Sequence, residues 1–199
     1  MDGQDIILVN DRDEIVGYGE KMDVHRKMLL HRAFSIFIYD RAAGRMLLQR
    51  RAYGKYHSGG LWTNACCSHP RRGMSMEACL NERLAKELGL RAALHIADSV
   101  TQGPFNIDAD ALYPCGKFTY AMNQGELGEH EVDHVFLYCP PPEETALLGA
   151  GYDPDEIAEL RWVGMEVLRA WLRERPEEFT VWFRPALDLA EGVLRRLVG

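Results

Sequence analysis

A helical period set between two groups of strand-like segments is the feature that most constrains this chain. Met76, Cys79, Leu80, Leu84 and Leu88 recur at helical spacing, with Ser75 at the N-cap and Gly89 well placed to end the helix. Before it, residues 5–9, 15–18, 32–39 and 46–50 read as strands, and the third alternates and is rich in β-branched and aromatic residues. After it, residues 93–100, 111–121, 131–138 and 160–163 read as further strands, with 122–128 as a loop. Two helices, 166–173 and 184–197, close the chain, while Lys21 to His31 shows no clear period. Strands, a helix, more strands and then helices predict an α/β fold of the α+β sandwich kind, a mixed sheet flanked by helices. There is no alternating βαβ series with a glycine fingerprint, which disfavours a dinucleotide fold. With 199 residues, a single domain over 1–199 is the expectation, its core at about 30–165 with an N-terminal hairpin and C-terminal helices around it.

The formal charge of −7 argues against a non-specific nucleic-acid binder, which needs a net basic face, but leaves room for a local basic pocket. Five cysteines without a C-x-x-C pair argue against a disulfide framework and for a reducing compartment. No basic-then-apolar leader opens the sequence, and no apolar run approaches the roughly 20 residues of a membrane span. The expectation is a cytoplasmic protein working on a small molecule, with no nucleic acid and no membrane, for which a monomer is a compatible state.

Between the fourth strand and the helix lies GGLWTNACCSHPRRG, Gly59 to Gly73. It offers two thiols, an imidazole, an indole and a proline within a dozen residues, the profile of a functional loop on a rigid scaffold. In an extended chain Cys67 and His69 fall on one side, so one could bind a metal while the other works beside it. The alternative is that the cysteines simply pack as small hydrophobes.

Three further groups could carry chemistry. Glu129 and Glu131 flank His130, and their spacing aims both carboxylates at one face of a strand, unfavourable unless a cation lies between them or one is protonated. Joined by His25, His31 and His69, they would form a mixed N/O shell suited to Mn²⁺ or Mg²⁺, or to Zn²⁺ with expanded coordination. Lys21, Arg50, Arg51, Lys55 and Arg83 form a basic group, and Arg83 shares a helix face with Glu87. A diphosphate wants arginine forks, a lysine point charge and a divalent ion held by a carboxylate. Trp62, Tyr120 and Trp182 could wall a pocket whose π faces stabilise a cation, although for any one of them plain core packing is the commoner role. Together these point to a metal-dependent enzyme with a thiol near the metal, acting on an anionic small molecule, and leave the reaction open.

The segments LLHRAFS, RRAYGK, WTNACCSHP, LAKELGL and GEHEVD, in that order, resemble type 1 isopentenyl-diphosphate isomerase, a divergent branch of the Nudix superfamily, over about Lys21 to Trp182. The resemblance implies a Nudix-like sheet and interconversion of isopentenyl and dimethylallyl diphosphate, without flavin, by protonating and deprotonating an allylic system. It implies Cys67 and Glu131 as the acid–base pair, and His25, His31, His69, Glu129 and Glu131 as ligands of a divalent metal (Mn²⁺, Zn²⁺ or Mg²⁺). Glu87, with the backbone of Cys67, would hold a Mg²⁺ on the diphosphate, which Lys21, Arg51, Lys55 and Arg83 would contact. Tyr120 would hydrogen-bond the catalytic glutamate, and Trp182 would face the cationic carbon. A Nudix diphosphate hydrolase is the nearest rival. Its glutamate-rich box, laid on Glu87 and Gly89, meets Met74, Arg83 and Lys86 where it needs carboxylates.

Overall fold

The computed structural model describes residues 5–91, 93–99 and 107–198. Strands β1 (Asp5–Val9) and β2 (Ile15–Glu20) form a hairpin that runs into a one-and-a-half-turn helix, α1 (Lys21–Arg26). Strands β3 (His31–Asp40) and β4 (Arg45–Arg51) follow, then the short β5 (Trp62–Thr63) and β6 (Cys66–Ser68), and helix α2 (Met76–Leu88). Next come β7 (His95–Ile96), β8 (Ala111–Gln124), β9 (Leu127–Tyr138), α3 (Pro142–Thr145) and β10 (Ile157–Gly164). Helices α4 (Met165–Glu174) and α5 (Phe183–Val198) end the chain, joined through a short 3-10 turn. The main sheet runs β10-β4-β3-β9-β8-β7, with β3 and β9 parallel and their other neighbours in the order β10 to β8 antiparallel, so it is mixed as expected.

Strand β3 shows how the sheet is clamped. Its Phe34, Ile36 and Ile38 pack on one face with Cys79, Leu80, Leu84 and Leu88 of α2. Phe37 and Tyr39 pack on the other face with Leu168 and Leu172 of α4 and Phe183, Leu187 and Val193 of α5. Each buried leucine in these layers contributes about 1.5–3 kcal/mol. On that second face, at the start of the strand, His31, Ala33 and Ser35 are buried but do not join the α4–α5 core cluster, and Ala33 and Ser35 line a cavity. That end is left for the site.

Helix α2 forms where its period predicted. Ser75 Oγ accepts from the Ala78 amide, and Gly89 closes the helix in the left-handed conformation, φ 69°. Three expectations are corrected. The stretch 93–100 shrinks to a two-residue strand, with Val100 outside the described residues. The stretch 122–128 is not a loop: β8 and β9 continue through it to a two-residue turn, with Gly125 at φ 69°. And Lys21–Arg26 is a helix too short to display a period, capped by the Glu20 carboxylate on the Met22 and Asp23 amides.

The N-terminal hairpin is tied down by Asp13, which carries a positive φ of 64°. Its carboxylate accepts from Arg32 Nε (2.7 Å) and Lys117 Nζ (2.7 Å) and meets His134 Nε2 at 2.8 Å. This anchors the hairpin that delivers α1, and with it Lys21 and His25.

Candidate active site

Five side chains from four parts of the chain converge on one point. His25 comes from α1, His31 opens β3, His69 follows β6, and Glu129 and Glu131 share one face of β9. Their ligand atoms all lie within 4.8 Å of one another. In the parallel β3–β9 ladder His31 stands directly beside Glu131, which is why residues a hundred positions apart meet. The backbone carbonyls of Lys21 and Leu29 take Nδ1 of His25 and His31; a carbonyl only accepts, so these nitrogens carry the protons. The Nε2 atoms are thereby turned to the carboxylates: His25 to Glu129 Oε2 at 3.2 Å, and His31 to Glu131 Oε1 at 3.3 Å. Both Nε2 atoms, and Oε2 of Glu129, are buried without a hydrogen-bond partner. Imidazole nitrogens facing carboxylates in a buried space call for positive charge between them, as protons on the imidazoles or as a bound cation. The set of three imidazoles and two carboxylates therefore fits a divalent metal.

Glu131 is held on both oxygens. Oε1 meets His69 Nε2 at 2.8 Å, and Oε2 accepts from the Tyr120 hydroxyl at 2.6 Å, directly across the β8–β9 ladder. Burial works to raise its pKa, but the contacts with His31 and His69 prevail and hold the carboxyl well below its usual range. Burial pushes the His69 imidazole well down, so it stays neutral.

Cys67 stands on the opposite edge of β3 from Glu131. Residues 34–36 of β3 pair with β6 and with β9 at once, and a strand has only two edges. Both side chains line the same cavity. Burial raises the Cys67 thiol to about 12, against the pull of Arg51, whose Nη1 lies 3.6 Å from the sulfur. The thiol thus keeps its proton while the carboxylate opposite has lost its own.

Lys21, Arg51, Lys55 and Arg83 line this cavity as well, as do Tyr120 and Trp182. Trp182 is 3% exposed, with its ring centre 5.9 Å from that of Tyr120 and the Arg51 guanidinium 5.5 Å from its ring. Glu87 lies apart from the five-residue cluster, buried on α2, where Arg83 Nε donates to it at 3.0 Å. Two of the candidates from sequence are structural instead. Arg50 points away from its neighbour Arg51 and donates to the Gly60 carbonyl at 2.8 Å. Trp62 belongs to the core, edge-on to Trp171 at 5.3 Å.

A NUDIX domain profile matches residues 29–183. The isopentenyl-diphosphate Delta-isomerase of Serratia proteamaculans is 42% identical over 195 residues, 96% of this chain and 94% of the relative. Isopentenyl-diphosphate Delta-isomerase 2 of Photorhabdus laumondii is 38% identical over 184 residues, 92% of this chain and 90% of the relative. The chain belongs to the isopentenyl-diphosphate Delta-isomerase family. Among solved structures, a protein from Deinococcus radiodurans shares the fold with a TM-score of 0.59 at 20% identity, covering 96% of this chain and 98% of that one. The MutT protein of Methanosarcina mazei does so with a TM-score of 0.55 at 16% identity, over 83% and 94%.

Within that family fold, the three glutamates of α2 are each engaged: Glu87 pairs with Arg83, Glu82 with Arg71 at the surface, and Glu77 accepts from the Ile96 amide, while Lys86 reaches Glu156 at 3.5 Å. Glu156 and His57 are among the cavity residues that escaped the sequence reading. Glu156 bridges Lys55, Arg83 (3.3 Å) and Lys86 (3.5 Å), with Lys55 and the other cations holding its carboxyl at about 2 against burial. His57 reaches Glu129. The only sequence signal for either was proximity to Lys55 or to a strand, too weak to single them out.

Proposed function

We propose that this chain interconverts isopentenyl and dimethylallyl diphosphate by protonation and deprotonation across an allylic system. What carries the reading is the pair Cys67 and Glu131, one protonated and one ionised, on opposite edges of β3 and lining one cavity. The reaction needs a proton delivered to the terminal alkene carbon and another removed from the carbon on the far side of the tertiary centre. Two groups on the two sides of a bound planar alkene meet that need, one giving while the other takes.

Lys21, Arg51, Lys55 and Arg83 would hold the diphosphate, and Glu156 would yield these cations to it. Arg51 then serves twice, since it also lies against Cys67. The Trp182 face would lie along the hydrocarbon, where an indole stabilises developing positive charge and, with water excluded, does not trap it. Tyr120 would fix the orientation of Glu131 through its hydroxyl. A divalent ion (Mn²⁺, Zn²⁺ or Mg²⁺) held by His25, His31, His69, Glu129 and Glu131 would supply positive charge that orients Glu131 and tunes its acidity. Glu87 and the Cys67 backbone would hold a Mg²⁺ that travels with the diphosphate. The five cysteines are free thiols, consistent with a reducing compartment such as the cytoplasm, and no helix among the described residues is long and apolar enough to cross a membrane.

Stripping divalent metal from the purified protein should abolish conversion of isopentenyl diphosphate, and adding Mn²⁺ or Mg²⁺ back should restore it. Conversion measured by product NMR that persists at full metal depletion would contradict the metal assignment. Release of phosphate in place of isomerisation would favour a hydrolase.

A further inference from the structure

The two oxygens of Glu129 face different partners. Oε2 is turned inward, 3.2 Å from His25 Nε2 and 4.0 Å from His31 Nε2. Oε1 is turned outward and lies in ion-pair contact with Nε2 of His57, a residue outside the five-residue cluster. His57 is only 8% exposed, so this contact is made out of water. Its ring is also boxed in by other rings: edge-on to Tyr56 at 4.4 Å and to Trp182 at 6.1 Å, and nearly parallel to His25 at 6.2 Å.

The loop that carries His57 is shaped for this placement. Arg51 Nη2 donates to the His57 carbonyl at 3.4 Å. The next residue, Ser58, takes a positive φ of 51°. At Gly59 a Cβ would come within 2.8 Å of the Tyr53 carbonyl oxygen, so only glycine lets the loop fold down at that point. A histidine brought to a metal-facing carboxylate by a loop with these requirements is more than a surface residue in passing.

We infer that His57 is a positioning residue for Glu129, its ring N–H occupying the outer oxygen so that the inner oxygen is presented to the metal ligands His25 and His31. The reason is electrostatic and geometric. A buried carboxylate with one bare oxygen can rotate either oxygen inward or tilt between the two, and leaving an acceptor unpaired in a dry site costs about 1–3 kcal/mol. A donor on one oxygen removes that freedom. Groups that hold a metal ligand from behind typically change metal affinity 10–100-fold when removed. The same ring packs toward Trp182, so it ties the metal centre to the wall that would face the substrate. The inference rests on the metal site proposed above.

The test is divalent-metal affinity itself, measured by Mn²⁺ or Zn²⁺ competition with a chromophoric chelator on metal-stripped wild type, His57→Ala and His57→Gln, each verified as folded by circular dichroism. The glutamine amide nitrogen can stand near the position of Nε2 and still donate. The expected result is a loss of about 10–100-fold for His57→Ala and recovery of most of it by His57→Gln. If His57→Ala does not fold, His57→Asn, whose shorter amide falls short of Glu129, takes its place with the same expected loss. Equal affinity in wild type and His57→Ala would overturn the inference and leave the metal site standing. Loss in both His57→Ala and His57→Gln to the same degree would overturn it in favour of simple ring packing. A wild type with no measurable affinity would overturn the metal site and this inference together.

Discussion

Cys67→Ala should lower kcat by about 10²–10⁴-fold, the range a positioned acid–base group contributes, while the protein keeps its metal. The thiol sits on β6, not among the five metal-site residues, so its removal leaves His25, His31, His69, Glu129 and Glu131 in place. Of the cations that would hold the diphosphate only Arg51 loses a contact, the one to the sulfur, and KM should move far less than kcat. What is lost is the proton that burial keeps on the sulfur at neutral pH. Cys67→Ser should recover little, because an alcohol is a much weaker acid than a thiol. Steady-state kinetics with a parallel metal assay checks both halves. Wild-type turnover in Cys67→Ala would remove the thiol from the chemistry and leave it as loop packing.

Glu131→Gln should be at least as damaging, and for two separable reasons. The substitution removes a carboxylate that three neighbours hold ionised: His31, His69 and the Tyr120 hydroxyl. It also removes one anionic ligand from the cluster. Weaker metal binding alone would be repaired by raising the metal concentration, since Glu129 and the three imidazoles remain. Loss of the acid–base group would not. The expected result is therefore turnover about 10²–10⁴-fold down that stays down when metal saturates the protein. Full recovery at saturating metal would show that Glu131 only ligates. Removing only the Tyr120 hydroxyl, as Tyr120→Phe, should have a smaller effect, because the imidazoles still hold the carboxylate.

How much of this was readable beforehand depends on how local each signal is. Helix α2 is written in its own residues, through the Leu80, Leu84 and Leu88 spacing and the Ser75 and Gly89 ends, so it appears where expected. The Cys67/His69 and Glu129/Glu131 pairs were also legible, since the two-residue period of a strand already puts each pair on one face. Long strands with polar tips were harder. Residues 122–128 look like a loop because the ribbon leaves the core there, and polar residues on an exposed hairpin carry no alternation to read. Helix α1 is shorter than two turns, so periodicity cannot report it even though it carries Lys21 and His25. His57 and Glu156 depend on contacts made across 70 residues or more, His57 to Glu129 and Glu156 to Lys55, Arg83 and Lys86. No local pattern encodes such contacts. Trp62 takes the core role that is the commoner one for a single tryptophan, and Arg50 falls outside the cavity. A tryptophan or arginine one position along a strand turns to the opposite face, and which face is the pocket is decided by where α4 and α5 pack.

In the proposed reaction a proton is added on one side of the substrate and taken from the other, with the phosphates untouched. Metal-loaded protein incubated with isopentenyl diphosphate in D₂O, with no flavin added, and followed by NMR tests it most directly. The expected product is dimethylallyl diphosphate with deuterium in a methyl group. Dimethylallyl diphosphate free of deuterium in that methyl group, or phosphate release without isomerisation, would contradict it.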